Sequence, residues 1–423
     1  MWWNNNVRGL LFILFGCGLF TPALAQKDSI APFDKGTHHL YLSTTFDLNA
    51  SSLTNDFIGQ YYKGAYLPDE LRARNSNRLN DKNTAGYSLD GGLFYFFAPN
   101  NYKGKFGYYI GVEEHSFAEI SFRKSFFDLL FFGNEPYSDQ FVKLDNMKLN
   151  IMAYQQVKAG VFKVFKGKHG MHQFGWAFGF NIGQKNLCID VKKASLFTQK
   201  DGEYVALDMD MDVFKTDSNS EGFGSFNGYG GAMDFSYNYT DLKQHEFQLR
   251  LSNLGYIRWD GFPDNFTRDT TIKFDGFEAD IFDLNQPMFN SDFGDSLTQA
   301  IIGSDHEGAY VSKLPMEIDV IYTYYVNGTP FTLTAEAKHR FFSVYKPFFS
   351  FSPGYRIFIK KSSLNINPIM TYGGYGSWNF GLNMKAQING RTYLGLGTST
   401  LNSIISPRSS AGLSGFFTLY QSL

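Results

Sequence analysis

Residues 245–261, HEFQLRLSNLGYIRWDG, alternate apolar and polar side chains over an unusually long run. The odd positions include Phe247, Leu249 and Ile257, whereas the even positions include Arg250. Because successive side chains of a strand point to opposite faces, this pattern predicts one long β-strand. Strands of soluble proteins average about 5–6 residues, whereas a strand that crosses a bilayer at a tilt needs about 9–11. The length therefore favours a strand that spans a membrane.

The same alternation recurs along the chain, in segments 204–214, 232–240, 314–326, 331–341 and 378–388. These runs are long, aromatic side chains cluster at their ends, and the polar face carries charges of both signs. A soluble sandwich would alternate too, but these three properties together are typical of a barrel with a wet interior and an apolar outside. The sequence thus predicts an all-β fold, a transmembrane antiparallel β-barrel.

The N-terminal 25 residues have the plan of a secretory signal peptide. A single basic residue precedes the apolar run LLFILFGCGLF, and Ala23 and Ala25 are the small pair before a cleavage site at Gln26. The run is too short to span a bilayer as a helix. Lipidation at Cys17 is the alternative, but the residues that follow this cysteine are still apolar. We expect cleavage by the secretory route.

The remaining residues, 26–423, are expected to form a single barrel domain, because no linker or shift in composition divides them. They hold one cysteine, Cys188, so no disulfide can form within the chain. The formal net charge of −2 argues against a nucleic-acid partner. No cofactor is expected.

Connection lengths give an independent indication of topology. Bacterial outer-membrane barrels have short periplasmic turns and longer extracellular loops. Short connections are predicted at 99–105, 166–171, 200–202, 241–243, 327–328, 360–363 and 389–390, and long ones at 54–84, 123–141, 217–228 and 261–313. If 172–184 and 187–199 are separate strands, the count is 16; if 187–216 is a hairpin above the membrane, it is 14. Both termini would then be periplasmic.

An extracellular cap is predicted from the segments 54–84, 123–141 and 261–313. The last of these carries ten acidic residues and seven Phe residues but no regular pattern. A loop of this length is usually functional or disordered, and its repeated aromatic residues argue against disorder. We therefore expect a folded lid or docking surface there.

Several stretches resemble a family of outer-membrane β-barrels of unknown function from Bacteroidota, which is distantly similar to FadL-type fatty-acid transporters. The matching stretches are LSNLGYIRW (251–259), TNDFIGQYY (54–62), DLLFFGNEPY (128–137), KLPMEI (313–318) and YGGYGSWNFGL (372–382). The resemblance covers most of the chain, and its motifs are structural. The similarity to FadL-type transporters implies 14 strands and passage of small hydrophobic molecules.

Motifs of enzymes are nearly lacking, since the sequence has no H-E-x-x-H, G-x-S-x-G or G-x-x-x-x-G-K pattern. We do not expect an enzyme. Asp208, Asp210 and Asp212 share one strand face at about 7 Å spacing and repel one another unless a cation or a basic partner lies between them. Calcium is one candidate ligand; a solvated face is the favoured alternative.

A charge cluster is predicted on the lumen side of one hairpin. Asn327-Gly328 is a two-residue turn signal that would pair Val326 with Thr329, and hence Tyr324 with Phe331. The predicted cluster comprises Glu317, Asp319, Glu336, Lys338, Arg340 and Arg250, with Asp319 opposite Glu336 and Glu317 opposite Lys338. Two tryptophans are predicted as aromatic residues at the membrane interface, namely Trp259 and Trp378.

These observations predict a protein of the outer membrane of a Gram-negative bacterium. Its function would be that of a channel or carrier for a small or hydrophobic solute. The alternative is an accessory or scaffold barrel of a larger outer-membrane secretion or assembly complex. The predicted partners are outer-membrane lipid and, in the second reading, other outer-membrane proteins.

Overall fold

The computed structural model describes residues 38–99, 106–200, 203–216, 224–241, 244–261, 263–275, 308–360, 362–388 and 391–423. The predicted signal peptide and the central part of segment 261–313 lie outside these ranges. Within them, no helix is both long and apolar enough to cross a membrane.

Antiparallel strands make up most of the described chain, as the alternating sequence predicts. In chain order they are β1 (His38–Ala50), β2 (Asn83–Phe97), β3 (Phe106–Phe122), β4 (Phe141–Lys143), β5 (Met147–Lys166), β6 (Met171–Thr198), β7 (Tyr204–Lys215), β8 (Gly228–Thr240), β9 (His245–Trp259), β10 (Asp264–Asp275), β11 (Tyr310–Lys313), β12 (Glu317–Tyr325), β13 (Phe331–Arg340), β14 (Lys346–Ile359), β15 (Ser362–Gly374), β16 (Asn379–Ile388), β17 (Thr392–Thr398) and β18 (Leu413–Ser422).

The sheet closes on itself, since β1 pairs with both β2 and β18. Among the described residues, fourteen strands form the barrel wall: β1, β2, β3, β5, β6, β8, β9 and β12 to β18. The predicted barrel is confirmed with the lower of the two strand numbers. The sixteen-strand alternative is wrong, because 172–184 and 187–198 form one continuous strand. β8 begins opposite Gly183, and beyond that level β6 pairs with β7.

The two rims of the barrel differ in their connections. At the rim that we call the turn end, short connections join β2 to β3, β5 to β6, β8 to β9, β12 to β13, β14 to β15 and β16 to β17. The opposite rim, the cap end, carries helices α1 (Asn55–Tyr62), α2 (Asp69–Arg78), α3 (Lys124–Phe132) and α4 (Leu401–Ile405). The predicted short connections 166–171 and 327–328 lie at the turn end. Of the others, residues 100–105, 201–202, 242–243, 361 and 389–390 lie outside the described residues, and the connection predicted at 200–202 falls between β6 and β7 of the part beyond the cap-end rim.

Helices α1, α2 and α3 cover part of the cap end. They share a buried apolar cluster formed by Phe57, Leu71, Leu79, Phe122, Phe127 and Phe131. Asn55 of α1 donates hydrogen bonds of 2.9 Å to the carbonyl oxygens of Ser403 and Gly412. These bonds join the cluster to the β17–β18 connection. Because the cluster contains residues of both predicted cap segments, 54–84 and 123–141, these segments pack as one layer over the rim.

The third predicted cap segment, 261–313, is not a loop throughout. Residues Asp264–Asp275 form β10, which pairs along its whole length with β7, and Tyr310–Lys313 pair with β9. β-branched residues such as Thr270, Thr271 and Ile272 favour a strand here. The expectation of an irregular loop is therefore wrong for 264–275, whereas 276–307 lie outside the described residues.

A four-stranded outer sheet projects beyond the cap-end rim. It consists of β4, the C-terminal part of β6, β7 and β10. Its apolar face packs on α3, because Leu129 shares a buried cluster with Val142 and Leu196. The outer sheet is thus fixed to the helical layer by apolar contacts.

The two faces of the barrel wall have opposite character. On β9, β12 and β13, Leu249, Tyr322 and Leu333 are exposed, whereas Asp319 and Lys338 on the other face are buried. An apolar outside and a polar inside are what a bilayer around the barrel requires.

Alternation on β9 is interrupted at Asn253. This residue has a φ of +60°, and the pairing with β8 shifts there so that β9 carries one extra residue. A β-bulge of this kind reverses which face the following residues occupy. The prediction that Trp259 marks the membrane interface is therefore wrong: its side chain is 0% exposed and lies inside the barrel, whereas Tyr256 is exposed on the outside.

The β12–β13 hairpin is closed by four residues, 327–330, rather than by two. The backbone N–H of Val326 donates to the carbonyl oxygen of Phe331 at 3.0 Å. Gly328 has a φ of +71°, but Asn327 is not among the residues with positive φ. A type I′ turn needs positive φ at both central positions, so the predicted turn type is wrong.

The hairpin register consequently differs by two residues from the predicted one. Tyr324 pairs with Leu333 and not with Phe331. The two-residue turn would have placed Pro330 within strand β13, opposite Tyr325, and proline is disfavoured inside a sheet because it has no N–H. A shift by two leaves every side chain on its predicted face, so the inward and outward assignments are unchanged.

Candidate functional site

Ion pairs line the inner face of β12 and β13. The ammonium of Lys338 lies 3.4 Å from a carboxylate oxygen of Glu317 and 3.8 Å from one of Glu336. The guanidinium of Arg340 lies 3.3 Å from Glu317. Because buried charges are costly without partners, these contacts allow four ionic side chains to share a confined space.

Asp319 and Arg250 occupy the same inner face. Arg250 of β9 donates a hydrogen bond to the buried carboxylate of Asp319. Asp319 stands opposite Lys338, and not opposite Glu336 as the two-residue turn implied. The observed register therefore avoids the direct opposition of two carboxylates, and the structure brings all six residues of the predicted cluster together.

A second ion network, which the sequence analysis missed, lies across β3, β5 and β8. Lys158 of β5 forms an ion pair with Glu113 of β3, and its ammonium lies 2.6 Å from a carboxylate oxygen of Asp234 of β8. Lys158 is buried, whereas its neighbour Val157 is exposed. The alternation of side chains along β5 could have predicted an inward Lys158, since it puts this residue on the same face as the buried Gln156.

His115, whose Nε2 lies 3.7 Å from a carboxylate oxygen of Glu113, connects this network to an apolar region of the lumen. Its Nδ1 lies 2.7 Å from a carboxylate oxygen of Asp90, and its ring stacks on Tyr154 with a centroid distance of 4.7 Å. Tyr154 belongs to a buried cluster that we call the lumen core: Phe117, Met152, Tyr154, Ala232, Ile257, Trp259 and Leu314. Bulky side chains therefore fill the lumen along β3 to β9.

Two cap-end turns fold into the lumen and bond to the opposite wall. Tyr375, in the β15–β16 turn, donates a hydrogen bond of 2.9 Å to Glu119 of β3, which also accepts one from Ser343 in the β13–β14 turn. Arg340 donates to the Tyr375 hydroxyl at 3.3 Å. We call these four residues the lock. Around the barrel, β3 and β13 are separated by β5, β6, β8, β9 and β12 on the shorter path, so the lock crosses the lumen.

Tyr375 is held from several sides. Its side chain is fully buried, and its carbonyl oxygen accepts a hydrogen bond of 3.1 Å from Thr84 of β2. Its ring lies against Gly86, where an added Cβ would come within 2.8 Å of it. Only glycine permits this approach, so β2 is shaped to receive the ring.

The wall formed by β14, β15 and β16 has smaller polar side chains. Nearer the cap end, the inward residues are buried; they include Ser350, Ser352, Thr371 and Asn383. Toward the turn end, several inward residues are partly exposed, although Ser363 is buried; the partly exposed ones are Arg356, Asn365, Asn367, Lys385 and Gln387, of which Asn367 stands opposite the buried Asn383. The lumen is therefore polar on this wall, buried toward the lock and partly accessible toward the turn end.

Asp208, Asp210 and Asp212 lie on β7 of the outer sheet, outside the barrel. The ammonium of Lys192 lies 2.8 Å from Asp212 and 3.8 Å from Asp210. Although burial opposes it, the hydrogen bond from Lys192 holds the pKa of Asp212 below its ordinary value. Among the described residues, no group of three or more His, Cys, Asp or Glu side chains is placed to hold a metal ion. The ammonium of Lys192 thus lies beside the aspartates, at the position where the calcium hypothesis placed a metal ion.

Trp378 differs from Trp259 in its position. It is 54% exposed and contacts the exposed Tyr372 with a ring centroid distance of 4.8 Å. This aromatic pair faces outward at the cap-end rim, and the position of Trp378 at the membrane interface stays a prediction.

Solved structures with a similar fold are outer-membrane barrels at very low sequence identity. A TodX mutant described as a monoaromatic hydrocarbon channel is 8% identical, with 92% of each chain covered and a TM-score of 0.44. A FadL homologue of Pseudomonas aeruginosa is 7% identical, with 91% of this chain and 89% of that chain covered and a TM-score of 0.37. The translocator domain of the autotransporter NalP from Neisseria meningitidis is 7% identical, with 93% and 91% covered and a TM-score of 0.34.

No curated protein matches the chain. The sequence model of one family does match, over residues 34–396. This range covers most of the chain and nearly all of the barrel described above. The chain therefore belongs to DUF5723, a family of unknown function.

Proposed function

We propose that this protein is a non-enzymatic outer-membrane barrel that passes a small solute through its lumen, and that the lock gates the passage. The observation that carries the proposal is the placement of Tyr375, which joins the β15–β16 turn to the opposite wall. A turn that fills a lumen can leave it without breaking the barrel ladder, because none of the wall pairing depends on it.

The lining of the lumen favours a particular kind of solute. Hydroxyl, amide and cationic side chains face the accessible part of the lumen, including Asn365, Asn367 and Gln387. Such groups hydrogen-bond to polar solutes and offer little to apolar ones. A hydrophilic solute therefore fits this lining better than the hydrophobic one implied by the resemblance to FadL-type transporters.

Removing the Tyr375 side chain should open the lumen. Hydrogen bonds to charged groups contribute about 1.5–3 kcal/mol, which corresponds to roughly a 10- to 100-fold change in the ratio of closed to open barrels. Planar bilayers with purified Tyr375→Ala protein should accordingly show much more frequent open events than those with the wild type.

Two variants serve as controls for this experiment. Tyr372→Ala removes an aromatic ring from the outer face of the same strand end and should leave conductance unchanged. Tyr375→Phe keeps the ring but loses the hydroxyl and its hydrogen bond to Glu119, so it should give most of the change derived above, and Tyr375→Ala should exceed it because the buried ring is lost too. If Tyr375→Ala folds, as judged by its heat-shifted gel mobility, and remains as closed as the wild type, the gating proposal is wrong.

Localisation and orientation form the next prediction. The mature protein should fractionate with outer membranes, with the cap end outside the cell. A peptide tag inserted after Tyr66, which is exposed between α1 and α2, should be labelled on intact cells. A tag inserted after Gly328 at the turn end should be labelled only after permeabilisation. Recovery as a soluble periplasmic protein would contradict the proposal, and the reverse labelling pattern would invert the orientation.

The Bacteroidota source implied by the resemblance stays a prediction.

The outer sheet supports a second candidate function. It projects beyond the rim and presents the aspartates of β7 on one face, with Lys192 among them. A rigid charged face outside a barrel suits attachment of a protein partner, as expected for an accessory barrel. Affinity purification from native membranes distinguishes the two functions, because a stoichiometric partner would favour the accessory barrel and a lone barrel would favour the channel.

A further inference from the structure

We propose that the outer face of the barrel at the turn end binds the phosphate headgroup of an anionic phospholipid, through Lys163 and Lys168. The acyl chains of this lipid would lie on the aromatic side chains around Lys163. The inference rests on the proposed placement of the barrel in a membrane, and not on passage of a solute. It can therefore be tested in reconstituted bilayers, whether or not the lock opens.

Lys163 of β5 is the charged member of a row of aromatic residues. It pairs with Phe106 of β3 on one side and with Phe174 of β6 on the other, and Phe174 pairs in turn with Tyr237 of β8. Paired residues of neighbouring strands share a face. Phe106 and Phe174 are 59% and 51% exposed, and Lys163 is exposed between them. The row therefore faces outward, where a bilayer would lie.

A second row, one step nearer the turn end, continues this aromatic surface. Phe165 pairs with His172, which pairs with Tyr239. The rings of Phe165 and His172 stack with their centroids 5.2 Å apart, and Nδ1 of His172 lies 3.0 Å from the Tyr237 hydroxyl. Aromatic rings with polar tips are enriched where hydrocarbon meets the headgroups. The two rows form what we call the aromatic strip: Phe106, Phe165, His172, Phe174, Tyr237 and Tyr239.

Among the described residues, no acidic side chain forms an ion pair with Lys163. Its ammonium lies 5.0 Å from the centre of the Phe106 ring. A charge on the lipid-facing side is costly unless it lies near the membrane interface. A lysine can reach that interface because its ammonium extends to the headgroups while its stem stays on apolar surface. A lipid phosphate would supply the counter-charge that the protein does not.

The β5–β6 turn places a second ammonium beside the aromatic strip. The backbone N–H of Gly167 donates to the carbonyl oxygen of Gly170 at 2.8 Å. The hydroxyl of Tyr239, a member of the strip, donates to the carbonyl oxygen of His169 at 3.4 Å. These bonds hold the turn against the strip, with the exposed Lys168 at its tip. Lys163 and Lys168 thus border the same aromatic surface.

Asp241, in the neighbouring β8–β9 connection, is the acidic group nearest to this turn along the described part of the rim. Its carboxylate accepts hydrogen bonds of 2.7 and 2.8 Å from the backbone N–H groups of Gln244 and His245. It is therefore engaged within its own connection, and the surface beside the strip carries more positive than negative charge. Anionic lipids are attracted to such a surface.

The test compares two brominated lipids as quenchers of an indole in the strip. Phe165→Trp places the reporter there, while Trp176→Phe and Trp378→Phe remove the exposed indoles of the mature chain and the fully buried Trp259 stays out of reach of lipid. The protein is reconstituted in phosphatidylcholine vesicles that contain brominated phosphatidylglycerol or brominated phosphatidylcholine. Brominated phosphatidylglycerol should quench more strongly, and Lys163→Gln should lower this preference roughly fivefold, as one lysine near an anionic surface does.

Matched variants define the outcomes. Lys163→Arg keeps the charge and should keep most of the preference, whereas Lys168→Gln should lower it, which covers the case in which Lys163→Gln does not fold. Lys360→Gln removes an ammonium from the β14–β15 connection, on the far side of the barrel, and should leave the preference unchanged.

Three results would overturn the inference. The first is equal quenching by the two lipids before any lysine is replaced, and the second is a preference that survives the loss of both Lys163 and Lys168. The third is an equal loss in Lys360→Gln, which would indicate a diffuse surface potential and no site. Because none of these variants touches the lock, failure of the Tyr375 gate would leave the quenching unchanged.

Discussion

Replacing Lys158 by Ala should lower the free energy of unfolding by about 3–5 kcal/mol, because breaking a buried ion pair leaves uncompensated charge behind. Lys158 is 6% exposed and is the basic partner of both Glu113 and Asp234. Without its ammonium, two carboxylates from opposite sides of β5 would face each other in the filled half of the lumen. Urea unfolding in detergent, followed by the heat-dependent shift in gel mobility, measures this loss.

A control for Lys158→Ala lies on the same strand. Lys163 faces outward, with its ammonium 5.0 Å from the centre of the Phe106 ring. Its replacement by Ala should cost about 0.5–1 kcal/mol. Combining Lys158→Met with Glu113→Gln and Asp234→Asn should recover most of the lost stability, because the uncompensated charges are then gone. A Lys158→Ala variant as stable as Lys163→Ala would mean that water solvates the two carboxylates.

The barrel could be predicted from the sequence because its main determinant is local. Alternation of side chains along one strand, as in Leu249 and Arg250, decides which face meets lipid, and no distant contact is needed to see it. The inner faces of β12 and β13 could be predicted for the same reason, since an error of two residues in register does not move a side chain to the other face.

Contacts across the lumen could not be predicted in this way. Tyr375 and Glu119 are 256 residues apart in the sequence, and their meeting depends on how the closed wall and the inward turns are arranged in space. The ion network of Lys158 depends likewise on β3, β5, β6 and β8 lying in this order in the wall, which brings Asp234 of β8 across β6 to Lys158. Its members were visible as inward charges, but their pairing required the strand order and register.

The β12–β13 hairpin and the outer sheet show two further reasons why parts of the fold could not be predicted from the sequence. Asn327-Gly328 is a strong turn signal, yet Pro330 two residues later cannot serve in the ladder and enlarges the loop. β10 lies in a segment rich in acidic residues and Phe. The short stretch that forms β10 does alternate, but the irregular composition of the longer segment makes this alternation hard to see. In both cases the sequence contains a local pattern that indicates the observed structure. A stronger pattern beside it indicates a different structure.

Trp259→Ala should destabilise the barrel by about 3–5 kcal/mol, because it removes a large side chain from a packed interior and leaves a cavity. The indole is fully buried in the lumen core, and its Nε1 donates a hydrogen bond of 2.7 Å to Ser312. Had Trp259 faced lipid, as unbroken alternation implied, the loss would resemble that of an exposed aromatic residue. Tyr256→Ala, on the outer face of the same strand, is the matched control.

The contact of Trp259 with Gly183 provides a sharper version of this prediction. A Cβ added to Gly183 would come within 2.5 Å of the indole ring, so Gly183→Ala alone should be destabilising by about 1–3 kcal/mol through overpacking. In the Trp259→Ala background the same substitution meets the cavity instead, and most of its cost should disappear. The difference between the two costs is the coupling energy that a double-mutant cycle measures. Additive effects of the two substitutions would show that the indole does not lie against β6, and would return Trp259 to the outer face from which the bulge at Asn253 removes it.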